Sequence, residues 1–188
     1  MRILGLSGSL RSGSHNTALL RAAGALLRPP AELVLLTDLR EIPPYDEDAD
    51  VEPAPRAVAA LRAQIAAADA VLIATPEYNA SVPGVLKNAL DWASRPYPAN
   101  ALRGKPVAVI GASTGLFGAV WAQAELRKAL RTAGAEVLDD KLPVGLADEA
   151  FAADGTLRDP GQAHALTAIT ARLVDRTRST AVAAGAPA

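Results

Sequence analysis

The sequence contains no cysteine, which excludes disulfides, thiolate catalysis and metal or iron–sulfur sites built on cysteine. Aromatic residues make up only 4% of the chain, so the apolar half of its 188 residues consists mainly of Ala, Leu and Val. Neither charge sign is in excess, because 19 basic against 20 acidic residues give a net charge of −1. This balance does not favour nucleic acid or an anionic membrane as a partner.

Other absences narrow the class of protein further. The two histidines are far apart and no metal-ligand cluster appears in the sequence, so we expect no metal site. No apolar run has the length of a membrane span, and no signal peptide is evident at the N-terminus. The expectation is a cytoplasmic protein without membrane contact.

Short runs rich in Val, Ile and Leu alternate with segments of helical periodicity. Five such runs cover residues 3–6, 32–36, 70–74, 107–111 and 136–138. Runs that are apolar on both faces are typical of parallel strands covered by helices on both sides. The pattern predicts one three-layer α/β domain over residues 1–182 with a five-stranded parallel sheet, followed by a frayed tail over 183–188.

Local signals predict the helix boundaries. Ser81 is expected to cap the third helix, Gly134 to end the fourth near residue 132, and Asp159 to begin the last. Residues 38–55 and 94–105 are too rich in Pro and acidic or polar residues for regular structure, so they are predicted to be loops.

The first strand is followed by a loop of small, hydroxyl-bearing residues that ends where a helix begins. A helix N-terminus has unpaired N–H groups and the positive end of a dipole, so it favours an anion. Arg11 can grip a phosphate through its charged fork, and Ser9 and Ser14 offer hydroxyl groups. The loop therefore predicts a phosphate site, although a plain surface loop with Ser14 or Asn16 as helix cap is the alternative.

Two nucleotide-binding motifs do not fit the same residues. The glycines around Gly5 and Gly8 lack the dinucleotide spacing Gly-x-Gly-x-x-Gly. Ser14 and His15 stand where a Walker loop requires Lys and Ser or Thr, so nucleotide hydrolysis is not expected.

Polar, glycine-rich loops also follow the third and fourth predicted strands, over residues 75–84 and 112–118. Tyr78 offers a flat apolar face with a polar tip, and Asn79 can both donate to and accept from a heterocycle. Phe117 and Trp121 either wall a flat ligand or pack in the core. Glu77 and His15 are not favoured as catalytic bases, because neither has a partner at a suitable spacing. Ligands of such sheets bind past the carboxyl ends of the strands, so we expect the three loops to meet there.

Together the three loops resemble the NADPH-dependent FMN reductase family of flavodoxin-like flavoproteins, which includes chromate and quinone reductases and some azoreductases. The similarity covers about residues 1–160. Its matching strings are Gly8-Ser9-Leu10-Arg11 with Ser14 and Asn16, Thr75-Pro76-Glu77-Tyr78-Asn79-x-Ser81-x-Pro83-Gly84-x-Leu86-Lys87-Asn88-Ala89-x-Asp91-Trp92, Gly104-Lys105-Pro106, and Ser113-x-Gly115.

The resemblance implies a flavodoxin-like fold with strand order 2-1-3-4-5 and a bound FMN. It assigns the FMN phosphate to four residues of the first loop: Ser9, Arg11, Ser14 and Asn16. It assigns the isoalloxazine ring to six residues of the second and third loops: Pro76, Glu77, Tyr78, Asn79, Ser113 and Gly115. No side chain is expected to be catalytic, since N5 of the flavin carries the chemistry.

The activity implied is that of an FMN-dependent oxidoreductase that takes hydride from NADPH or NADH and reduces a small molecule such as a quinone, chromate, an azo compound or free flavin. The resemblance also implies a homodimer or homotetramer with the flavin near an interface that includes Asp91, Trp92 and the loop at Tyr45. The main alternative is a flavodoxin-type electron carrier without turnover of its own. A weaker alternative is an FMN-binding regulatory or scaffold protein.

Overall fold

A parallel β-sheet forms the centre of the protein, in a computed structural model that describes residues 1–36, 39–183 and 185. The order across the sheet is β2-β1-β3-β4-β5, with β6 also paired to β4, and every pairing is parallel. This confirms the strand order and the three-layer α/β class. The strands are β1 (Arg2–Ser7), β2 (Glu32–Leu35), β3 (Ala70–Thr75), β4 (Pro106–Ala112), β5 (Glu136–Val137) and β6 (Pro143–Val144).

Successive residues of a strand point to opposite faces of the sheet, and helices cover both faces. On one face Leu4 and Leu6 of β1 pack in a core with residues of α2, α3 and α4. On the other face Ile3 packs with residues of α1 and α5. The helices are α1 (His15–Leu26), α2 (Arg56–Ala67), α3 (Gly84–Ala93), α4 (Val120–Thr132) and α5 (Pro160–Ala183), with a 3₁₀ helix at Glu47–Ala49.

The five predicted strands are confirmed, and the structure adds a sixth, because the edge next to β4 is split into two short strands, β5 and β6. Strand β5 pairs with the beginning of β4 and β6 with its end, so the middle of β4 has no strand on the side away from β3. The buried guanidinium of Arg127 on α4 fills this gap: its Nη2 donates to the Val109 carbonyl at 3.0 Å and to the Asp140 carbonyl at 2.7 Å. One turn earlier, Gln123 Nε2 donates to the Leu142 carbonyl at 3.2 Å. Burial lowers the pKa of Arg127, and the neighbouring Arg131 lowers it further.

Three of the predicted helix signals can be compared with the observed ends. Gly134 has a φ of +91° directly after α4, and the backbone N–H of Gln162 donates to the Asp159 carboxylate at 2.7 Å, so both of these predictions are confirmed. Ser81 does not cap α3, because Pro83 is the N-cap residue and makes no side-chain bond.

The C-terminal part of the chain is helical further than expected. Helix α5 continues to Ala183, the first residue of the predicted tail, and residues 184 and 186–188 lie outside the described part of the chain. Asp38, the start of one predicted loop, lies outside it too. Among the helices that the structure describes, none combines the length and the apolar character needed to cross a bilayer.

Candidate functional site

The three loops that follow β1, β3 and β4 meet at the carboxyl edge of the sheet. The start of the first loop packs against the start of the second. The Gly8 N–H donates to the Ala74 carbonyl at 2.8 Å, and a Cβ on Gly8 would lie 3.1 Å from the Pro76 ring. Helix α1 is joined to the third loop through Asn16 and Ala112. The sheet therefore brings together segments separated by about a hundred residues, as its topology requires.

The first loop, residues 8–14, presents a basic and hydroxyl-bearing surface. Ser9, Arg11 and Ser12 line a cavity of about 380 Å³, which Arg21 and Arg40 border from α1 and from the segment after β2. The Arg11 guanidinium is exposed and donates to the Gly13 carbonyl at 3.0 Å. This arrangement can hold a phosphate through positive charge, hydroxyl groups and the free N–H groups at the start of α1.

Two other residues of the predicted phosphate site use their side chains within the fold. The Ser14 hydroxyl accepts from the Thr17 N–H at 3.2 Å, so Ser14 is the cap of α1. The buried Asn16 amide donates to the Ala112 carbonyl and accepts from the Ala112 N–H, both at 2.9 Å. A phosphate at this loop would therefore meet the backbone N–H groups of Ser14 and Asn16 and the O–H of Ser14, which the cap does not use, but not the Asn16 side chain.

The second loop, residues 76–81, contains a tight turn with an unusual backbone. Tyr78 and Ser81 exchange both backbone hydrogen bonds at 3.1 Å, and the two residues between them, Asn79 and Ala80, have positive φ values of 54° and 59°. Such a turn is a type I′ reversal, which exposes the backbone of its central residues. The Tyr78 side chain is 52% exposed, so its ring is available to a flat ligand.

The side chain of Glu77 has a role that the sequence did not indicate. Its Oε2 accepts from the backbone N–H groups of Trp121 and Ala122, at 2.9 and 3.0 Å, and so caps α4 from the second loop. This leaves the Glu77 backbone, rather than its carboxylate, to face a ligand of the loop.

The third loop, residues 113–119, is packed closely against β6. The Ser113 N–H donates to the Val144 carbonyl at 3.0 Å, and its hydroxyl accepts from the Gly115 N–H at 3.2 Å. Only glycine fits at Gly118, because φ is +59° and a Cβ would lie 2.5 Å from the Pro143 carbonyl carbon. Ser113 and Gly115 are therefore held by the sheet edge beside the N-terminus of α4.

Large apolar side chains stand exposed next to these loops. Phe117 and Trp121 are 60% and 49% exposed and pack edge to face, with 5.2 Å between their ring centroids. The alternative that Phe117 belongs to the core is therefore wrong. We call these two rings, together with the exposed side chains of Leu116 and Tyr78 on the third and second loops, the apolar rim.

The end of the second matching string has a structural role. Trp92 is completely buried, and its Nε1 donates to the Pro43 carbonyl at 2.8 Å. Asn88 donates to the same carbonyl at 2.9 Å and accepts from the Tyr45 N–H at 2.7 Å. The expectation that Trp92 lies at a subunit interface was wrong, since this residue instead anchors the loop at residues 43–45 to α3.

His15 also has a partner that sequence reasoning missed. Its Nε2 lies 3.0 Å from an Asp148 carboxylate oxygen, and its ring stacks on Phe151 with 6.3 Å between centroids. A separation of 133 residues leaves no local signal for such a pair. The contact joins the start of α1 to the segment after β6.

Comparison with known proteins agrees with this geometry. The family described as NADPH-dependent FMN reductase matches residues 1–149. An NAD(P)H-dependent FMN reductase of Pseudomonas aeruginosa is 49% identical over 160 residues, which is 85% of either chain. A 2-hydroxy-1,4-benzoquinone reductase of Burkholderia is 45% identical over 128 residues, or 68% of either chain.

Solved structures give the same result. The flavoenzyme NAD(P)H:(acceptor) oxidoreductase FerB of Paracoccus denitrificans superimposes with a TM-score of 0.83 at 38% identity, over 95% of this chain and 98% of FerB. A WrbA-like flavodoxin of Agrobacterium tumefaciens, at 17% identity and a TM-score of 0.62, covers 95% of this chain and 98% of its own and shares the fold. The chain is therefore an NAD(P)H-dependent flavoprotein oxidoreductase with a flavodoxin-like fold, and it belongs to the NADPH-dependent FMN reductase family.

Proposed function

We propose that this protein passes electrons from NAD(P)H, through FMN bound at the carboxyl edge of its sheet, to a small planar acceptor of the quinone class. The observation that carries the proposal is the convergence of the three loops, with the basic first loop at one end and the exposed Tyr78 turn at the other. The quinone reductase relatives support the choice of acceptor.

The first loop would bind the FMN phosphate. Arg11 and Ser9 supply a charged fork and a hydroxyl beside the cavity, and Ser14 and Asn16 supply N–H groups at the start of α1. These groups fit a phosphate monoester, because they combine a positive charge with hydrogen-bond donors on one loop.

The second and third loops would bind the flavin ring. The backbone N–H groups of Glu77 and Asn79, which the fold leaves without an acceptor in this described loop, would face the ring from one side, and Ser113 and Gly115 would face it from the other. The chemistry that a bound FMN would supply is acceptance of hydride at its N5 and transfer of the electrons to the acceptor. Donors from this backbone would stabilise negative charge on the reduced ring. The site requires no acid–base side chain, which agrees with the capping role of Glu77.

The apolar rim would select flat, apolar acceptors. Phe117 and Trp121 offer exposed rings next to the loop that contains Ser113. An aromatic surface of this kind favours stacking of a quinone over binding of a small hydrated oxyanion such as chromate.

We further propose a homodimer whose contact surface includes Leu116, since this large apolar side chain is 70% exposed. The need for NAD(P)H as reductant fits a reaction in the cytoplasm. Sedimentation of the FMN-loaded protein measures its oligomeric state directly. A monomer at all protein concentrations would contradict the proposed dimer.

The test of function is steady-state turnover. The protein is saturated with FMN, and oxidation of NADPH or NADH is followed at 340 nm with 1,4-benzoquinone, chromate or an azo dye as acceptor. Turnover with the two nicotinamides is compared directly. Among the acceptors, we expect the quinone to have the highest kcat/KM. FMN that stays bound but oxidised in excess NADPH would favour the electron carrier or the regulatory protein instead.

A further inference from the structure

The turn from Tyr78 to Ser81 holds a backbone conformation that its residues do not favour. Asn79 and Ala80 both lie in the left-handed region, and Ala80 carries a Cβ that makes this region unfavourable. A strained turn of this kind persists where the surrounding structure determines it, and such strain is found at functional sites.

Helix α4 supplies these determining contacts on both sides of the turn. Before it, the Glu77 carboxylate accepts the N–H groups of Trp121 and Ala122 at 2.9 and 3.0 Å. After it, the Ser81 hydroxyl donates to the Glu125 carboxylate at 2.6 Å. Both connections join the turn to the first two turns of the same helix.

We propose that Glu77 is a positioning residue for the flavin ring, and that Ser81 with Glu125 completes the same clamp. The inference rests on the proposed function, because it concerns how the ring-binding turn is held. The clamp fixes the backbone of Tyr78 and Asn79 relative to the sheet edge. It also fixes the turn relative to Trp121, so that the ring-binding turn and the apolar rim keep a fixed position relative to each other.

The alternative is that Glu77 is an ordinary helix cap that contributes only stability. The chain offers a matched control for this alternative, because Asp159 caps α5 with a bond of 2.7 Å to the Gln162 N–H. Asp159 belongs to none of the three loops. Removal of either carboxylate exposes a helix N-terminus, but only the loss of Glu77 releases the turn.

The experiment compares FMN with riboflavin, which lacks the phosphate. Dissociation constants of both flavins are measured by fluorescence quenching for the wild type and for E77A, E77Q, S81A and D159A. If the clamp acts on the ring, E77A weakens both flavins by the same factor, about tenfold or more, since two hydrogen bonds to a charged group are lost. E77Q recovers most of the affinity, because its amide oxygen can accept the same two N–H groups.

The remaining variants and the spectrum complete the test. S81A weakens both flavins in the same direction, whereas D159A lowers thermal stability and leaves both affinities at the wild-type value. The visible circular dichroism of bound FMN changes in E77A and returns in E77Q, which a cap contributing stability alone would not produce.

The possible failures can be told apart. A wild type that binds neither flavin contradicts the proposed function itself. A wild type that binds both while E77A retains their affinities contradicts the positioning role, and so does an equal loss in D159A. If E77A does not fold, S81A decides the matter: reduced riboflavin affinity supports the clamp and unchanged affinity overturns it.

Discussion

Replacement of Asn16 by alanine separates two explanations of the same residue. The resemblance to FMN reductases assigns Asn16 to the phosphate, whereas the structure engages its buried amide with both backbone groups of Ala112, at 2.9 Å each. N16A would leave a buried N–H and a buried carbonyl without this partner. At about 1–3 kcal/mol for each of the two groups, we expect a loss of roughly 2–6 kcal/mol in the free energy of unfolding.

For a chain of this size, 1 kcal/mol shifts Tm by about 2–4 °C, so N16A should unfold roughly 4–24 °C below the wild type. Urea unfolding of the apoprotein measures the same loss without any contribution from bound flavin. Asn100 provides the matched control, since its buried amide donates to the Ala133 carbonyl at 3.1 Å and accepts from the Leu102 N–H at 3.0 Å. N100A should therefore lose a similar amount of stability.

The reasoning is refuted if N16A unfolds like the wild type but binds FMN much more weakly. That result would mean that the Asn16 side chain contacts the phosphate and that its bonds to Ala112 contribute little. The opposite result, lost stability with FMN affinity reduced no more than in N100A, supports the structural role.

Three further predictions concern single side chains. R11A should weaken FMN by about 1.5–3 kcal/mol in calorimetry and leave riboflavin unchanged, whereas R28A, an exposed charge at the other end of α1, should change neither; equal FMN affinity in R11A and the wild type would remove the phosphate assignment. R127M should cost about 3 kcal/mol in urea unfolding, because buried carbonyls lose their donor; a loss below about 1 kcal/mol would contradict its role at the split edge. F117A should leave Tm within about 2 °C of the wild type, since the ring is largely exposed, and should raise KM for 1,4-benzoquinone. An unchanged KM would count against acceptor binding at the apolar rim.

The position of the site was predictable because it follows from chain order and strand direction. Each apolar run ends at a polar loop, and the carboxyl ends of parallel strands share one edge, so residues near 9, 78 and 113 had to come together. The caps at Ser14 and Asp159 were predictable for a similar reason, since a cap bonds to a backbone group within three residues.

Contacts between distant segments were not predictable in this way. Strand β6 has only two residues and no periodicity, and the donor that replaces its missing continuation, Arg127, lies on the preceding helix. Glu77 caps a helix that begins 43 residues later in the chain, at Val120. The indole of Trp92 bonds to the loop at Pro43, although the whole of α2 separates the two residues in the sequence.

The sequence by itself determined the fold class, the strand order through its resemblance to a family, and the sheet edge at which the three loops meet. The tertiary structure alone decided which polar side chains near that edge remain available and which are used within the fold, as Asn16 and Glu77 are. The physical reason is that periodicity and capping depend on neighbours in the chain. The partner of a buried polar group depends instead on which distant backbone it faces after the helices have packed.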